Sequence, residues 1–246
     1  MRELFVIGIG AGDPDQVTVQ AIKAMNKADV FFVLGKGREK QDLVDLRARI
    51  LAEHVTRPYR VVTITDPPRD RAPSDYEAVV DDWHERRATL FEAEFAAEPG
   101  VGAILVWGDP SLYDSTLRIV DQVLARGKVS FEYSVIPGVT SVQSLAAQHR
   151  IVLNRIGEPI HVTTGRRLAE GLPDGVDNAV VMLDAHCTFT QVPGDDVQIW
   201  WGAYLGTPDE VLVSGNLREV EGEIQRIRAE LRERKGWIMD TYLIRR

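Results

Sequence analysis

Three short apolar runs in the first 140 residues each lead directly into a loop built from glycine and proline. The runs cover residues 4–9, 101–106 and 131–136. Runs of this length and composition are typical of buried strands in α/β proteins. Glycine lets a backbone approach a ligand closely, proline fixes a turn, and ligands of α/β sheets bind at the carboxyl ends of strands. The three loops therefore predict a ligand-binding edge on a parallel sheet.

Predicted strands and helices alternate over residues 1–137, and this order favours a parallel sheet. Apolar runs predict five strands, at residues 4–9, 30–34, 60–65, 101–107 and 131–136. Helical spacing of apolar residues separates them, at residues 18–28, 42–53, 75–95 and 117–125. We therefore expect an N-terminal five-stranded parallel α/β domain, residues 1–137, which carries the Gly-rich and Gly-Asp-Pro loops.

The pattern changes after Pro137. Only two helices are predicted there, at residues 140–148 and 220–234, among five strand-like runs at residues 160–163, 179–183, 197–201, 211–214 and 237–243. Few helices between strands indicate antiparallel pairing within a mixed sheet. We therefore expect a C-terminal mixed α/β domain, residues 138–246, with the boundary near Pro137.

Composition excludes several classes of protein. The chain has 246 residues, 44% of them hydrophobic, which suits one large or two medium domains. A net charge of −8 without a basic tail argues against a nucleic-acid partner. We find neither a signal-peptide core nor an apolar run long enough for a bilayer, so we expect a cytoplasmic protein with no membrane partner. Because Cys187 is the only cysteine, an internal disulfide is excluded and no structural metal is expected.

The first glycine loop, Gly8-Ile9-Gly10-Ala11-Gly12-Asp13-Pro14, invites a dinucleotide-binding interpretation. That fingerprint requires Gly-x-Gly-x-x-Gly before a helix and an acidic residue about 20 positions later. Here Asp13 stands where the third glycine belongs, and the second predicted strand ends in Leu34-Gly35-Lys36. The spacing therefore argues against a nicotinamide or flavin site.

The three loops taken together carry a family resemblance. They are Gly8-x-Gly10-x-Gly12-Asp13-Pro14, Gly108-Asp109-Pro110-x-x-Tyr113 and Pro137-Gly138-x-Thr140-Ser141, in this order. With the later segments Gly206-Thr207-Pro208 and Gly215-Asn216-Leu217, they resemble the tetrapyrrole methylases, the class III S-adenosylmethionine-dependent methyltransferases. The resemblance covers nearly the whole chain.

The resemblance implies a two-domain tetrapyrrole methylase fold with a ligand trough between the domains, and a homodimer. It also implies S-adenosyl-L-methionine as the cofactor, with S-adenosyl-L-homocysteine as the product. Matched position by position, the cofactor contacts are Pro14, Gly108, Asp109, Thr140, Ser141, Leu183 and Asp184. Loop backbones can bond the polar groups of such a cofactor, and Asp109 can hold the ribose hydroxyls or the ammonium group.

Two positions depart from the family pattern. Many relatives have methionine where this chain has Asp184, which leaves the adenine contact to the backbone of Leu183 or Asp184. Relatives that methylate uroporphyrinogen have a Tyr-Asp pair where this chain has Leu34-Gly35-Lys36-Gly37. We therefore expect a different tetrapyrrole substrate.

Segments around Trp107, Arg155, Arg166, Trp201 and Trp237 are most similar to a subgroup of the family that acts in aerobic cobalamin (vitamin B12) biosynthesis. This resemblance implies methylation of C-1 of precorrin-5, with release of its extruded acyl group as acetate. Acetate release requires a base that activates water and donors for the oxyanion. Methyl transfer requires alignment of C-1 with the sulfonium methyl group.

Several side chains are candidates for these roles. His186 is the leading candidate for the base because it stands beside Asp184 just past a predicted strand, and it competes with Asp114, Tyr113 and His161. The carboxylates of a tetrapyrrole require cations, for which the candidates are Lys36, Arg38, Arg166 and Arg167. Each candidate also has an ordinary structural interpretation, as a solvated charge or a hydrogen-bonded histidine.

Three alternative functions stay open. Another corrinoid methylase of the same family would methylate its substrate without releasing acetate. A relative that methylates RNA or a translation factor is disfavoured by the acidic charge. A non-catalytic module for adenosyl nucleotides, a different class of protein, would bind its ligand without turnover on any tetrapyrrole.

Overall fold

The computed structural model describes residues 1–35, 41–68 and 76–246. The chain divides into two compact units. The first consists of Met1–Gly10 and Pro14–Val139, and the second of Ala11–Asp13 and Thr140–Arg246. The second unit thus includes three residues of the first glycine loop.

The first unit contains the parallel sheet that the sequence predicts. Its five strands are β1 (Glu3–Gly8), β2 (Val30–Gly35), β3 (Arg60–Thr65), β4 (Val101–Val106) and β5 (Glu132–Ile136). They lie in the order β3-β2-β4-β1-β5, and every pair is parallel. All six residues of β4 are buried, as expected for a central strand covered on both faces. The predicted five-stranded parallel sheet is confirmed.

Helices cover both faces of this sheet. They are α1 (Val19–Met25), α2 (Gln41–His54), α3 (Tyr76–Ala97) and α4 (Thr116–Ala125). Side chains of α1 and α2 pack on one face, around Phe31 and Leu105, and those of α3 and α4 pack on the other, around Phe32 and Ile104. Consecutive strand residues point to opposite faces, which explains the two separate cores. Across the described ranges, no helix combines the length and apolar character needed to cross a membrane.

Strand β2 separates from β4 before either strand ends. Their pairing stops at Phe32 and Ile104, whereas β2 continues alongside β3 as far as Gly35. The main chain of β4 beyond Ile104 therefore has no strand neighbour on its β2 side. This separation lies at the carboxyl edge of the sheet, where β4 stands between β2 and β1.

The second unit contains a mixed sheet, as predicted. Its strands are β6 (His161–Thr164), β7 (Asn178–Met182), β8 (Gln198–Ala203), β9 (Val211–Asn216) and β10 (Asp240–Arg245), in the order β6-β7-β10-β8-β9. Only β6 and β7 pair in parallel. Three helices accompany them, α5 (Ser141–His149), α6 (Gly165–Leu168) and α7 (Leu217–Lys235). The apolar pattern does not predict the short helix α6.

The last strand begins three residues later than the apolar pattern predicts. Gly236 ends α7 in a left-handed conformation, and Trp237 and Met239 then pack against the core of the second unit before β10 begins at Asp240. Apolar residues that pack against the core from a loop produce the same sequence signal as the start of a buried strand. Periodicity alone could not separate the two.

A buried ion pair ties α3 to the end of β3. Arg87 of α3 donates to Asp66 at 2.7 Å, and both side chains are mostly buried. The guanidinium also stacks over the ring of Trp83, at 3.5 Å from its centroid, and reaches the hydroxyl of Ser115 at 3.5 Å. Among the described residues, Asp66 is the carboxylate that pairs with Arg87, and a buried cation depends on such a partner.

We therefore expect Asp66→Asn to destabilise the chain by about 3 kcal/mol, because it leaves Arg87 buried without a counter-charge. The double variant Asp66→Asn/Arg87→Met should be more stable than the single variant, since both charges are removed together. Urea unfolding followed by circular dichroism measures both. The exposed pair Arg226–Glu230 supplies a control, because Glu230→Gln should change stability by less than about 0.5 kcal/mol. A double variant less stable than Asp66→Asn would contradict this account.

Candidate functional site

Backbones from three loops meet at the carboxyl edge of the first sheet. A Cβ placed on Gly138 would lie 2.1 Å from the carbonyl oxygen of Gly108, and one placed on Gly8 would lie 2.6 Å from the amide nitrogen of Gly138. Distances this short exclude any side chain at Gly8 and Gly138, and Gly108 has a φ of 66°, which favours glycine. The ends of β1, β4 and β5 are therefore assembled into one edge within the first unit.

The carboxylate of Asp109 joins two of these loops. One oxygen accepts the N–H of Gly138 at 2.8 Å, and the other accepts the N–H of Ser111 at 2.8 Å and its hydroxyl at 2.5 Å. Burial acts to raise the pKa of Asp109, but the bonds from Ser111 and Gly138 outweigh it and hold the pKa below its ordinary value. The ionised side chain thus positions the loop after β4 against the loop after β5.

Residues 11–13 of the first glycine loop pack within the second unit. A Cβ on Gly12 would lie 2.4 Å from the carbonyl oxygen of Leu205, and one on Gly206 would lie 2.7 Å from the amide nitrogen of Asp13. Two glycine segments that the sequence analysis singled out are therefore neighbours. The next residue, Pro14, is buried in the first unit, where its carbonyl lies 3.2 Å from the Nε2 atom of His54.

Thr140 and Ser141 form the start of α5. Thr140 is the N-cap, and its hydroxyl accepts the N–H of Val142 at 3.2 Å. The side chain of Gln143 completes a capping box by accepting the N–H of Thr140 at 3.1 Å. Both predicted cofactor residues therefore have a defined local structural role in the second unit, and both are partly exposed.

Tyr113 and Asp114 lie between the Gly108-Asp109 loop and α4. Tyr113 has a φ of 51° and is 46% exposed, and partial burial raises the pKa of its hydroxyl. A tyrosine with a raised pKa stays protonated at neutral pH, so its hydroxyl can donate a hydrogen bond. Asp114 is exposed, and its carboxylate accepts the N–H of Thr116 at 2.6 Å at the start of α4.

The loop after β7 is organised by the buried carboxylate of Asp184. It accepts the N–H groups of His186 and Thr188, at 2.9 and 2.6 Å, and the hydroxyls of Thr188 and Tyr242, at 2.9 and 2.8 Å. The residue before it, Leu183, has a φ of 54° and is 65% exposed. The side chain of Asp184 therefore points into the protein, and Leu183 stands at the surface of the loop.

A second buried charge supports this loop from α7. Arg228 donates to Asp240 at 2.9 Å and to the backbone carbonyl of Asp184. Asp240 also accepts the indole N–H of Trp201 at 2.9 Å. Burial raises the pKa of Asp240, against the opposing effects of Arg228 and Trp201, and burial next to Asp184 raises the pKa of Tyr242.

The sequence patterns do not predict this network, although the chain contains a signal for it. Arg228 lies on the buried stripe of α7 together with Leu217, Ile224 and Leu231. A charged residue at an apolar position of an amphipathic helix indicates a buried partner. The sequence does not identify the partner, because Asp240 lies outside the helix of Arg228 and no helical or strand periodicity relates the two residues.

The two histidines predicted as possible bases, and the single cysteine, lie in or near strands β6 and β7. The side chain of His186 is exposed, and Asp184 bonds its backbone rather than its ring. His161 is partly buried in β6. Cys187 has a φ of 54°, and burial raises the pKa of its thiol. The expected base therefore has no described carboxylate that orients its imidazole ring.

Of the four cations predicted to bind substrate carboxylates, the structure describes two. Arg166 and Arg167 are exposed on α6, and Arg167 forms an ion pair with Glu170 at 2.7 Å. A Cβ on Gly165, the first residue of α6, would lie 2.6 Å from Asp184. The structure therefore brings α6 beside the loop after β7. Lys36 and Arg38 lie outside the described residues.

Comparisons with known proteins find matches over most or all of the chain. The model of the family described as Tetrapyrrole (Corrin/Porphyrin) Methylases matches residues 3–221. A protein of Sinorhizobium sp named Precorrin-6A synthase [deacetylating] is 50% identical over 250 residues, which cover 100% of this chain and 96% of that protein.

Solved structures are similar as well. A cobalamin synthesis related protein (CobF) from Corynebacterium diphtheriae has 42% identity and a TM-score of 0.85, covering 100% of this chain and 98% of that one. A uroporphyrin-III C-methyl transferase from Thermus thermophilus, complexed with S-adenyl homocysteine, has 20% identity and a TM-score of 0.59. It covers 98% of this chain and 96% of its own, and at this identity the similarity shows the shared fold.

Gly138→Ala should destabilise the chain by about 1–3 kcal/mol or more, because the added methyl group meets the carbonyl of Gly108. Gly222→Ala is the matched control, since Gly222 lies in α7 with open space around it. Alanine is the better helix former, so this control should stabilise by up to about 1 kcal/mol. Chemical unfolding compares the two, and equal effects would contradict the proposed close approach.

The lowered pKa of Asp109 predicts a pH-dependent effect of Asp109→Asn. An ionised carboxylate with a depressed folded-state pKa stabilises the fold above its unfolded pKa, and this contribution is lost as the pH falls through the folded value. The variant should therefore have a lower Tm than the unmodified chain at pH 7, with a difference that shrinks below about pH 4. Thermal unfolding between pH 3 and 7 measures this difference. A gap that stays constant to pH 3 would exclude the charge as its cause.

Proposed function

Because the chain belongs to the tetrapyrrole methylase family, we propose that it uses S-adenosyl-L-methionine to methylate C-1 of precorrin-5, releasing acetate and giving precorrin-6A in cobalamin biosynthesis. The observation that carries the proposal is 50% identity over the full length to a protein named as the deacetylating Precorrin-6A synthase. A local or partial match would support only the family.

The residues at the edge of the first sheet fit a cofactor of this kind. A Cβ on Gly8 or Gly138 would meet neighbouring backbone atoms, and the loops at Gly8, Gly108 and Gly138 present backbone groups. The carboxylate of Asp109 has about four acceptor positions. Ser111 and Gly138 use three of them, which leaves one for a ribose hydroxyl or an ammonium group. When bound, S-adenosylmethionine supplies a methyl group on a positively charged sulfur.

In the second unit, the proposed contacts come from Thr140, Ser141 and the loop after β7. The carbonyl of Asp184 is already bonded by Arg228, and its carboxylate accepts bonds from the loop itself and from Tyr242 of β10. Leu183 is the exposed residue of this pair, so we assign it the adenine contact through its backbone and apolar side chain. Asp184 then acts on the cofactor by fixing the conformation of Leu183. Pro14 completes the proposed set in the first unit.

Deacetylation requires a water molecule to attack the acyl carbonyl while a base removes its proton. Our candidates are His186 and Asp114, both exposed, and Tyr113. The raised pKa of Tyr113 suits it to donate a hydrogen bond to the developing oxyanion rather than to act as the base. We propose Arg166 and Arg167 as partners for substrate carboxylates, which they suit because both are exposed cations.

We also propose that the chain is a cytoplasmic homodimer. The dimer rests on the resemblance of the chain to the tetrapyrrole methylases and on no described contact. Sedimentation equilibrium of the full chain tests it directly, since a single species of monomer mass would refute the dimer.

Incubation with precorrin-5 and methyl-labelled S-adenosylmethionine tests substrate, cofactor and deacylation together. We expect one labelled methyl group in the product and one acetate released for each methyl transferred, measured by mass spectrometry and an acetate assay. His186→Ala and Asp114→Asn should each be assayed for acetate, because loss of the base should slow acetate release by about 100-fold or more. Glu230→Gln serves as the surface control.

The outcomes separate the alternatives. Methyl transfer without acetate would assign the chain to a different corrinoid methylation. Binding of S-adenosylmethionine by calorimetry, without turnover on any tetrapyrrole, would support a non-catalytic adenosyl-nucleotide module instead.

A further inference from the structure

Arg47 of α2 occupies the place where β2 separates from β4. Its Nε atom donates to the carbonyl of Leu105 at 3.1 Å, and its Nη1 atom donates to the carbonyl of Leu43 at 2.9 Å. Leu105 lies one residue beyond the last β2–β4 pair, Phe32 and Ile104. The guanidinium therefore satisfies a strand carbonyl that the separation of the strands leaves without a partner.

The two bonds use only part of the guanidinium. An arginine side chain has five N–H donors, and two neutral carbonyls do not balance its charge. None of the described carboxylates forms an ion pair with Arg47, in contrast to Arg60, Arg87 and Arg228. Burial acts to lower the pKa of Arg47, opposed by the charge of Asp114. The guanidinium of Arg47 is thus a largely desolvated cation at the carboxyl edge of the first sheet, although the residue as a whole keeps some exposed surface.

A purely structural role does not require this charge. Any neutral donor of similar length would satisfy the carbonyl of Leu105 without the free-energy cost of desolvating a cation. Asp114 does not serve as its partner at bonding distance, and its carboxylate is bonded to the N–H of Thr116. The remaining guanidinium donors therefore have the chemistry of an anion site.

We propose that Arg47 binds a side-chain carboxylate of the tetrapyrrole substrate at the carboxyl end of β4, through the donors that Leu105 and Leu43 leave unused. The inference rests on the proposed function and adds a specific substrate contact to it. The two backbone bonds fix the guanidinium in place, so little side-chain entropy is lost when the carboxylate binds. Planar guanidinium donors suit a carboxylate better than a lysine would.

A second observation concerns Trp107, two residues after Leu105. The indole Nε1 atom of Trp107 is buried and has no hydrogen-bond partner among the described residues. A buried N–H without an acceptor costs free energy, so it favours a ligand that supplies one. Acceptor groups of a carboxylate-rich macrocycle meet this requirement at the same end of β4.

Arg47→Gln tests the proposal, because glutamine removes the charge and keeps an N–H donor for the carbonyl of Leu105. We expect the KM for the tetrapyrrole to rise by about 10- to 100-fold, with the Kd for S-adenosylmethionine changed by less than about twofold. Arg47→Lys should give an intermediate KM, because it restores the charge without the planar fork. Arg49→Gln, an exposed arginine on the same helix, is the matched control and should leave the KM unchanged.

An unchanged KM in Arg47→Gln overturns the proposal, as does an equal loss of affinity for tetrapyrrole and S-adenosylmethionine, which a structural defect would produce. If Arg47→Gln does not fold, Arg47→Lys decides: a KM equal to that of the unmodified chain then overturns it. Thermal unfolding identifies a folding defect in either variant.

Binding of uroporphyrin, a porphyrin with a carboxylate on every side arm, separates this inference from the proposed function. We expect its quenching of tryptophan fluorescence to weaken in Arg47→Gln and to persist in Arg49→Gln. Binding that depends on Arg47 in a chain without precorrin-5 turnover would support the site and refute the function. Turnover with acetate release but no dependence on Arg47 would refute the site alone.

Discussion

Close contact between three glycine backbones is the constraint on which the first unit depends. Gly8, Gly108 and Gly138 end or follow three adjacent strands, and no side chain fits at Gly8 or Gly138. Their contact brings the N–H of Gly138 to the carboxylate of Asp109, which fixes one loop against the other. Because the backbones are so close, the carboxylate of Asp109 can bond the two loops together. In the proposed function, the same carboxylate also accepts a hydrogen bond from the ligand.

In the second unit, a loop is held in place by buried charged groups and not by close contact between glycines. Its loop after β7 is held by buried charge, with Asp184 accepting four hydrogen bonds and Arg228 joining the loop to α7 and to Asp240. Buried charges are costly unless they are paired and fully bonded. Arg228 is paired with Asp240, and the carboxylate of Asp184 is stabilised by its four hydrogen bonds. The exposed Leu183 lies next to this buried Asp184.

The sequence predicts the order and type of most elements because apolar runs and helical spacing report burial directly. It also predicts a binding edge from the glycine and proline loops, since their spacing admits few backbone shapes. It does not reveal Arg228–Asp240 or Arg47–Leu105, because each joins residues that no local pattern relates. Asp184 was matched to a cofactor position by resemblance, and only the structure shows that its carboxylate is engaged internally. Local periodicity records which face of an element is buried, whereas the partner of a buried polar group depends on tertiary structure.

The left-handed conformation of Leu183 has a thermodynamic consequence. An L-residue with a large side chain adopts a φ of 54° only at a cost, and the bonds to Asp184 offset that cost when the chain folds. The loop is therefore already ordered before any ligand arrives, so ligand binding need not restrict its backbone. Covering the exposed side chain would then contribute a negative heat capacity of association, with little entropy lost in the loop itself.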